Sequence, residues 1–206
     1  IEEQNALSPE LQQKIEQSFD LQELEDLYLP YKKRKKTKAD TAREKGLEPL
    51  AKIIMSQKSD DVEYLASKYL SAKVSDEDEA LQGARDIIAE WVNEHERARQ
   101  MVRNRFRREA TISSKVIKGK EKEAEKYKDY FDYSEPLRKC SSHRYLAVTR
   151  GESEGFLRVS ITPDDDVCCE DLNKLFVKGV FDSSRQVDEA VKDGYKRLLK
   201  PSIETE

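Results

Sequence analysis

One row of residues limits what this chain can fold into. Leu81, Ala84, Ile87, Ile88, Trp91, His95, Ala98, Val102 and Phe106 recur mostly at steps of three and four. That spacing places them on one face of an α-helix and fits no strand, whose faces alternate every second residue. The row predicts a single long helix from about Asp76 to Arg108. Asp76, Glu77, Asp78 and Glu79 crowd its first turn and arginines crowd its last, an arrangement that suits both ends of a helix dipole. An apolar face of that length needs other elements to cover it.

The remaining chain offers mostly further helices. Ser8-Pro9 is a helix start, a capping hydroxyl followed by proline at the first turn, with Leu11, Ile15 and Phe19 behind it. Asp20 and Glu23 make a capping-box pattern for a short helix carrying Leu21, Leu24 and Tyr28 inward, which Pro30 stops. A helix from about Ala39 ends at Gly46. Pro49 opens another with Leu50, Ile53 and Ile54 inward, and Ser59 caps one carrying Val62, Leu65 and Tyr69. Beyond the long helix, Lys120–Tyr130 reads as helical. Ser141 or Ser142 caps a helix that Gly151 ends. The alternation through Phe156 or Leu157, Val159 and Ile161 is the clearest strand. A last helix runs from Ser184 to Leu199, with Val187, Val191, Tyr195 and Leu198 inward, and Pro201 closes it. With 7 glycines and 6 prolines in 206 residues, a turn-rich β fold is disfavoured. The expected class is mainly α with one small β element, divided into residues 1–73 and 74–206.

Charge is the second feature. The net charge is only −4, yet charged residues make up 39% of the chain and are unevenly placed. Lys32, Lys33, Arg34, Lys35, Lys36 and Lys38 form one basic knot, flanked by Tyr28 and Tyr31. Arg97, Arg99, Arg103, Arg105, Arg107 and Arg108 form a second island without an acid among them. The rest of the chain is correspondingly acidic. Clustered cations attract phosphate backbones by releasing counterions, with no need to read sequence, and the two tyrosines offer a stacking surface. A charge run is more often a solvated loop, however. In the second island, Arg99, Arg103 and Arg107 share one stripe at i, i+4 and i+8. That stripe suits either a phosphate backbone or, more often, acids of a neighbouring helix. The candidate nucleic-acid contacts are therefore Lys32, Lys33, Arg34, Lys35, Lys36, Lys38, Arg99, Arg103 and Arg107.

Catalytic and metal patterns are weak. Cys140-Ser-Ser-His143 has the gap of half a zinc site but no second half, and the adjacent Cys168 and Cys169 chelate poorly. Asp164, Asp165 and Asp166 read as a solvated turn. His95 reads as a core histidine. There is no G-x-S-x-G elbow, P-loop or G-x-G-x-x-G, so neither an enzyme nor a cofactor is expected. The odd cysteine count, the absence of a run long enough for a membrane span and the absence of a signal-peptide pattern behind Ile1 suggest a reduced, cytoplasmic protein, and the non-Met start suggests a fragment.

Longer stretches carry a resemblance. "LEDLYLPYKKRKKTKADTAREKGLEPLA" (Leu24–Ala51), "ALQGARDIIAE" (Ala80–Glu90), "KYKDYFDYSEPL" (Lys126–Leu137), "SSHRYLAVTRGESEGFL" (Ser141–Leu157) and "DGYKRLLKPSIETE" (Asp193–Glu206) resemble, in order, the Tex family of bacterial transcription accessory proteins. The resemblance implies a multi-helix N-terminal region, a helix-turn-helix-like bundle, leading to an RNase H-like YqgF domain, helix-hairpin-helix elements and an S1 domain that lie outside this chain. It implies a cytosolic protein that binds nucleic acid, RNA or DNA, mainly through those other domains, with RNA polymerase as a possible partner. No catalytic residue carries over. The family often has proline near Lys33, and usually reads P-S-H-R where Ser141-Ser142-His143-Arg144 stands here. The S-H-R triplet is expected to cap a helix, with Ser142 binding amides and His143 and Arg144 bonding neighbouring segments.

Overall fold

Most of the apolar row is buried, with Trp91 and Phe106 half-buried and His95 exposed, but the helix that carries it is broken in two. The computed structural model describes residues 7–32 and 35–206. In chain order the helices are α1 (Pro9–Gln17), α2 (Leu21–Tyr28), α3 (Lys38–Glu44), α4 (Glu48–Ser56), α5 (Val62–Ser67), α6 (Glu77–Glu94) and α7 (Glu96–Glu109). Strands β1 (Thr111–Val116) and β2 (Asp132–Pro136) follow, then α8 (Ser142–Ser153), β3 (Leu157–Thr162), α9 (Asp165–Phe176), α10 (Asp182–Gly194) and α11 (Lys200–Thr205). A π-helical turn, Tyr195–Leu199, joins the last two. The chain is mainly α with one small sheet. Among the described residues, no helix is long and apolar enough to cross a membrane.

Packing groups the chain into two units, Ile1–Met101 with Cys169–Ser202, and Val102–Cys168 with Ile203–Glu206. This grouping cuts across the expected boundary at 73/74, because α6 is the centre of the first unit and not the start of a second. Helices α3, α4, α5 and α10 all pack on it. Its Ala80, Ala84, Ile87, Ile88, Ala89 and Val92 are fully buried, as are Leu47, Leu50, Ile54, Val187 and Val191 around them. Burial of an aliphatic side chain of this size contributes about 1.5–3 kcal/mol. The α6–α10 contact is unusually close at Gly194, where an added Cβ would lie 3.0 Å from the Ala89 carbonyl oxygen and 3.1 Å from its Cα.

The second unit is built on a three-stranded antiparallel sheet of order β2-β1-β3. Ser113 lies opposite both Ser134 and Ser160. Ile112, Val148, Leu157, Ala124 and Tyr127 form its core, with α8 packed on β3. Along β3, the Val159 N–H donates to the Glu152 carboxylate at 3.1 Å and the Ile161 N–H to Glu204 at 3.3 Å.

Several expectations are corrected. His95 ends α6 in an extended conformation (φ −74°, ψ 113°). Its N–H still bonds Val92 O, while its Nδ1 accepts the Ala98 N–H at 3.4 Å and its carbonyl accepts the Arg99 N–H. It is exposed, not in the core, and packs edge-to-face on Phe176 at 5.2 Å. The imidazole nitrogen thus caps the next helix, as a side-chain acceptor satisfies an orphan amide. Asp61, not Ser59, caps α5 through the Tyr64 N–H, and Tyr69 falls beyond that helix. Leu21, Tyr28 and Ile53 point outward, and Phe19 is 96% exposed. Lys120–Tyr130 is a turn followed by a 3-10 segment (Glu125–Tyr130), flanked by two strands the periodicity did not mark. Gly151 sits buried inside α8, and the left-handed residue after that helix is Gly155 (φ 72°). Asp164 accepts the Asp166 and Val167 N–H groups at the start of α9, an unanticipated helix. Pro201 does not close the last helix. It is the second residue of α11, directly after the π turn, in a first turn where a missing N–H is tolerated, and α11 continues through it.

The Gly194 contact yields a stability expectation. Gly194→Ala forces a methyl group against the α6 backbone and should lower unfolding free energy by about 1–3 kcal/mol. Urea denaturation of the two proteins measures the difference.

Candidate nucleic-acid interface

The basic knot occupies the connection between α2 and α3. Pro30 turns the end of α2 into a 3-10 segment, Leu29–Tyr31, closed by the Lys32 N–H on Leu29 O at 3.3 Å. Thr37 then opens α3 with a reciprocal capping box. Its hydroxyl accepts the Asp40 N–H at 3.1 Å, and the Asp40 carboxylate accepts the Thr37 N–H at 2.9 Å. Lys32, Lys35, Lys36 and Lys38 are exposed. Lys36 pairs with Glu44 at 2.5 Å, both side chains being more than half exposed. Lys32 and Lys35 have no ion pair among the described residues. Lys33 and Arg34 lie outside the described residues. Lys38 stands over a cleft between α3 and α6 that also presents Thr41, Lys45, Gln82 and Asp86.

The arginine stripe has a different fate. Arg99 is 3% exposed; its Nε donates to Asp26 of α2 at 2.6 Å and its Nη2 to the Ser202 hydroxyl at 3.1 Å. Arg103 is 4% exposed and donates to Glu206 at 2.8 Å. A guanidinium committed to a carboxylate away from water is not presented to a polyanion. Arg99 and Arg103 therefore leave the set of candidate contacts, and intramolecular pairing is the use the geometry gives them. The regular spacing that made them look like a phosphate track is the spacing of an inward helix face. Arg107, one turn further on, is exposed.

Around the cleft, charge is balanced unevenly. Lys45 hydrogen-bonds the Glu79 carboxylate, which also accepts the Ser75 N–H at 2.8 Å and the Ser75 hydroxyl at 2.9 Å. Led by the Lys45 bond, these donors hold Glu79 down at about 2. Asp86 is buried, and desolvation pushes its carboxyl up despite Arg197, which donates to it at 2.8 Å, and nearby Lys38. Four positions along α6, Glu90 is 3% exposed, pairs with Arg43 of α3 and accepts the Thr37 hydroxyl at 3.2 Å. Sequence reasoning missed Asp86 and Glu90. The signal was present as two acids four apart between the apolar residues of α6, a pattern that demands cationic partners.

The Ser141-Ser142-His143-Arg144 segment begins α8 in the second unit. Arg144 reaches Glu135 of β2 at 3.2 Å, the Ser141 hydroxyl at 3.0 Å and Lys139 O at 3.3 Å. His143 Nε2 lies 3.3 Å from the Ser141 hydroxyl, and Tyr133 donates to Glu135. Arg144 thus bonds a neighbouring segment as expected, whereas the His143 contact stays within its own segment. The hydroxyl involved belongs to Ser141 and serves Arg144, not the helix amides. Burial, with Glu135 beside it, pushes the Cys140 thiol up and away from the reactive thiolate. Among the described residues, no three His, Cys, Asp or Glu side chains are grouped to hold a metal.

Two outcomes follow from these contacts. Asp26→Ala strands a buried guanidinium and should cost about 3 kcal/mol of stability, read by denaturant unfolding. Glu79 has its carboxyl lowered from the ordinary 4.5 to about 2. Its contribution is therefore complete above pH 4.5 and lost as pH falls toward 2, whereas Asp86, shifted upward, acts with the opposite sign. Thermal melts of Glu79→Gln should match the parent at the acid end of that window and fall below it above pH 4.5.

Comparison with known proteins places these features in a lineage. Residues 57–196 match the family model described as Tex central region-like. An uncharacterized Bacillus subtilis protein, YdcI, is 41% identical over the whole chain, which covers 29% of that relative. The transcriptional accessory protein Tex of Neisseria gonorrhoeae is 45% identical over 80% of this chain and 22% of its own length. A human S1 RNA-binding domain-containing protein 1 is 29% identical over 71% of this chain and 15% of its length. The chain thus spans under a third of each of these relatives. A family match over more than half the chain, supported by bacterial relatives above 40% identity, establishes that it belongs to the Tex family.

Proposed function

We propose that this region is a non-catalytic helical scaffold of a cytoplasmic transcription accessory protein and that it adds sequence-independent phosphate contacts to nucleic-acid binding. The observation that carries the reading is the exposure of Lys32, Lys35 and Lys36 on one short connection and of Lys38 at the start of α3, all but Lys36 without an ion pair among the described residues. Such lysines keep their counterions until a polyanion displaces them. Lys33 and Arg34 belong to the same run in sequence. Arg107 is a further candidate, on the last turn of α7. Relatives named for transcription and for an S1 RNA-binding domain support RNA or DNA as the polyanion.

A second reading has its own observation. Phe19 and Leu21, 96% and 73% exposed, sit together at the α1–α2 turn, and exposed apolar residues side by side favour a protein partner. Under that reading the region docks on RNA polymerase or on other domains of a longer Tex protein.

Fluorescence anisotropy with single-stranded and duplex oligonucleotides separates the two. The first reading expects weak binding that falls steeply with salt. Replacing Lys32, Lys35 and Lys36 with glutamate should reduce the log–log salt slope by about one for each phosphate that is no longer neutralised. Absence of binding at low ionic strength refutes it, and binding of purified RNA polymerase with nuclease present then supports the second.

A further inference from the structure

One face of the sheet in the second unit is left to solvent. Side chains along a strand alternate between the two faces. The inner set, including Ile112, Ser114 and Leu157, is buried, and α8 packs on that side, with Gly151 against Leu157. On the other face β1 carries Thr111, Ser113 and Lys115. The register sets Ser134 and Ser160 beside Ser113, and Pro136 and Thr162 beside Thr111. Beside Lys115 stand Asp132 on β2 and Arg158 on β3. Lys115, Ser134 and Arg158 are exposed, and the remaining four hydroxyl residues are half-buried. Among the described residues, none of these five hydroxyls makes a hydrogen bond, and neither Lys115 nor Arg158 has an ion pair, with Asp132 or with any other acid.

Two like charges directly opposite each other on neighbouring strands destabilise a sheet. An anion lying over both removes that cost. The face carries no aromatic or large aliphatic side chain, the anchors a protein partner would use. It does carry the groups that contact phosphate and sugar in nucleic-acid interfaces: a lysine, an arginine and free hydroxyls. With no ring for a base to stack on, bases are left facing outward and unread. A flexible single strand can lie flat along such a surface, whereas a stiff, convex duplex touches it over less of its length. We propose that this outer face of the β2-β1-β3 sheet binds the sugar–phosphate backbone of a single-stranded nucleic acid. Lys115 and Arg158 take phosphates, and the hydroxyls of Ser113, Ser134 and Ser160 bond phosphate and sugar oxygens. The surface belongs to the second unit, and the proposal does not rest on the lysine connection of the first.

The test takes the chain with Lys32, Lys35 and Lys36 replaced by glutamine, which removes binding through the lysine connection. Anisotropy of labelled oligouridylate and oligothymidylate is then followed across a salt series, both probes presenting the phosphodiester backbone. In this background, Lys115→Gln with Arg158→Gln should lower the log–log salt slope by about 0.7 for each cation removed. Ser113→Ala should weaken binding about fivefold at an unchanged slope, because a hydrogen bond is lost and no counterion contact is. A merely structural role for these residues would alter unfolding and leave the slope alone. If the double glutamine variant does not fold, the parent chain decides. Saturating oligonucleotide should slow acetylation of Lys115, read by peptide mass spectrometry, relative to Lys73, which is exposed in the first unit. Parental affinity and slope in the double variant, or equal acetylation of Lys115 with and without oligonucleotide, overturn the proposal. Loss of all binding on replacing the three connection lysines also overturns it, and leaves the phosphate-contacting reading of that connection standing. Binding of either probe that persists there and depends on Lys115 and Arg158 upholds it.

Discussion

The first unit depends on pairing the charges it takes out of water. Helix α6 carries Asp86 and Glu90 into an interior of Ile87, Ile88 and Val92, where an unpaired carboxylate would be prohibitive. Each finds an arginine on a different neighbour. Arg43 of α3 meets Glu90, and Arg197 of the π turn meets Asp86 while also bonding Asp193 at 2.6 Å. Helix positions that hydrophobic burial alone would leave free to slide are thereby fixed in register. Asp26 and Arg99 repeat the device between α2 and α7.

Much of the fold was legible because helix periodicity is a local property. The stripe on α6 and α7, the Ser8-Pro9 start, the end of α3 near Gly46 and the β3 alternation all follow from residues close in sequence. What escaped reading depends on distant partners. β1 carries Ser113, Ser114 and Lys115, and only pairing with β2 and β3 makes it a strand. The break at His95 escaped because one extended residue leaves steps of three and four intact, and an imidazole nitrogen is not an obvious cap. Pro201 was misjudged because it falls in the first turn of a following helix, where a missing N–H is tolerated.

The basic island on α7 shows how composition misleads about a surface. Six arginines without an acid between them suggest an exposed track, yet Arg99 and Arg103 are more deeply buried than most leucines on a protein surface would be. Their acids, Asp26 and Glu206, lie more than seventy residues away in sequence. Local charge counting cannot see such partners. The lysine run differs in kind. Lysine's strongly hydrated ammonium on a flexible stem favours solvent, whereas the planar guanidinium tolerates burial beside a carboxylate. Residue type separated the two islands better than charge density did.

The carboxylates along β3 have a consequence for assembly. Edge amides left unpaired invite a foreign strand to join, and proteins guard such edges with charge. Here Glu152 and Glu204 occupy the Val159 and Ile161 amides directly. An incoming backbone would have to evict two anions before forming its first rungs there. This border is closed to β-augmentation, and partners that recruit strands must approach from another side.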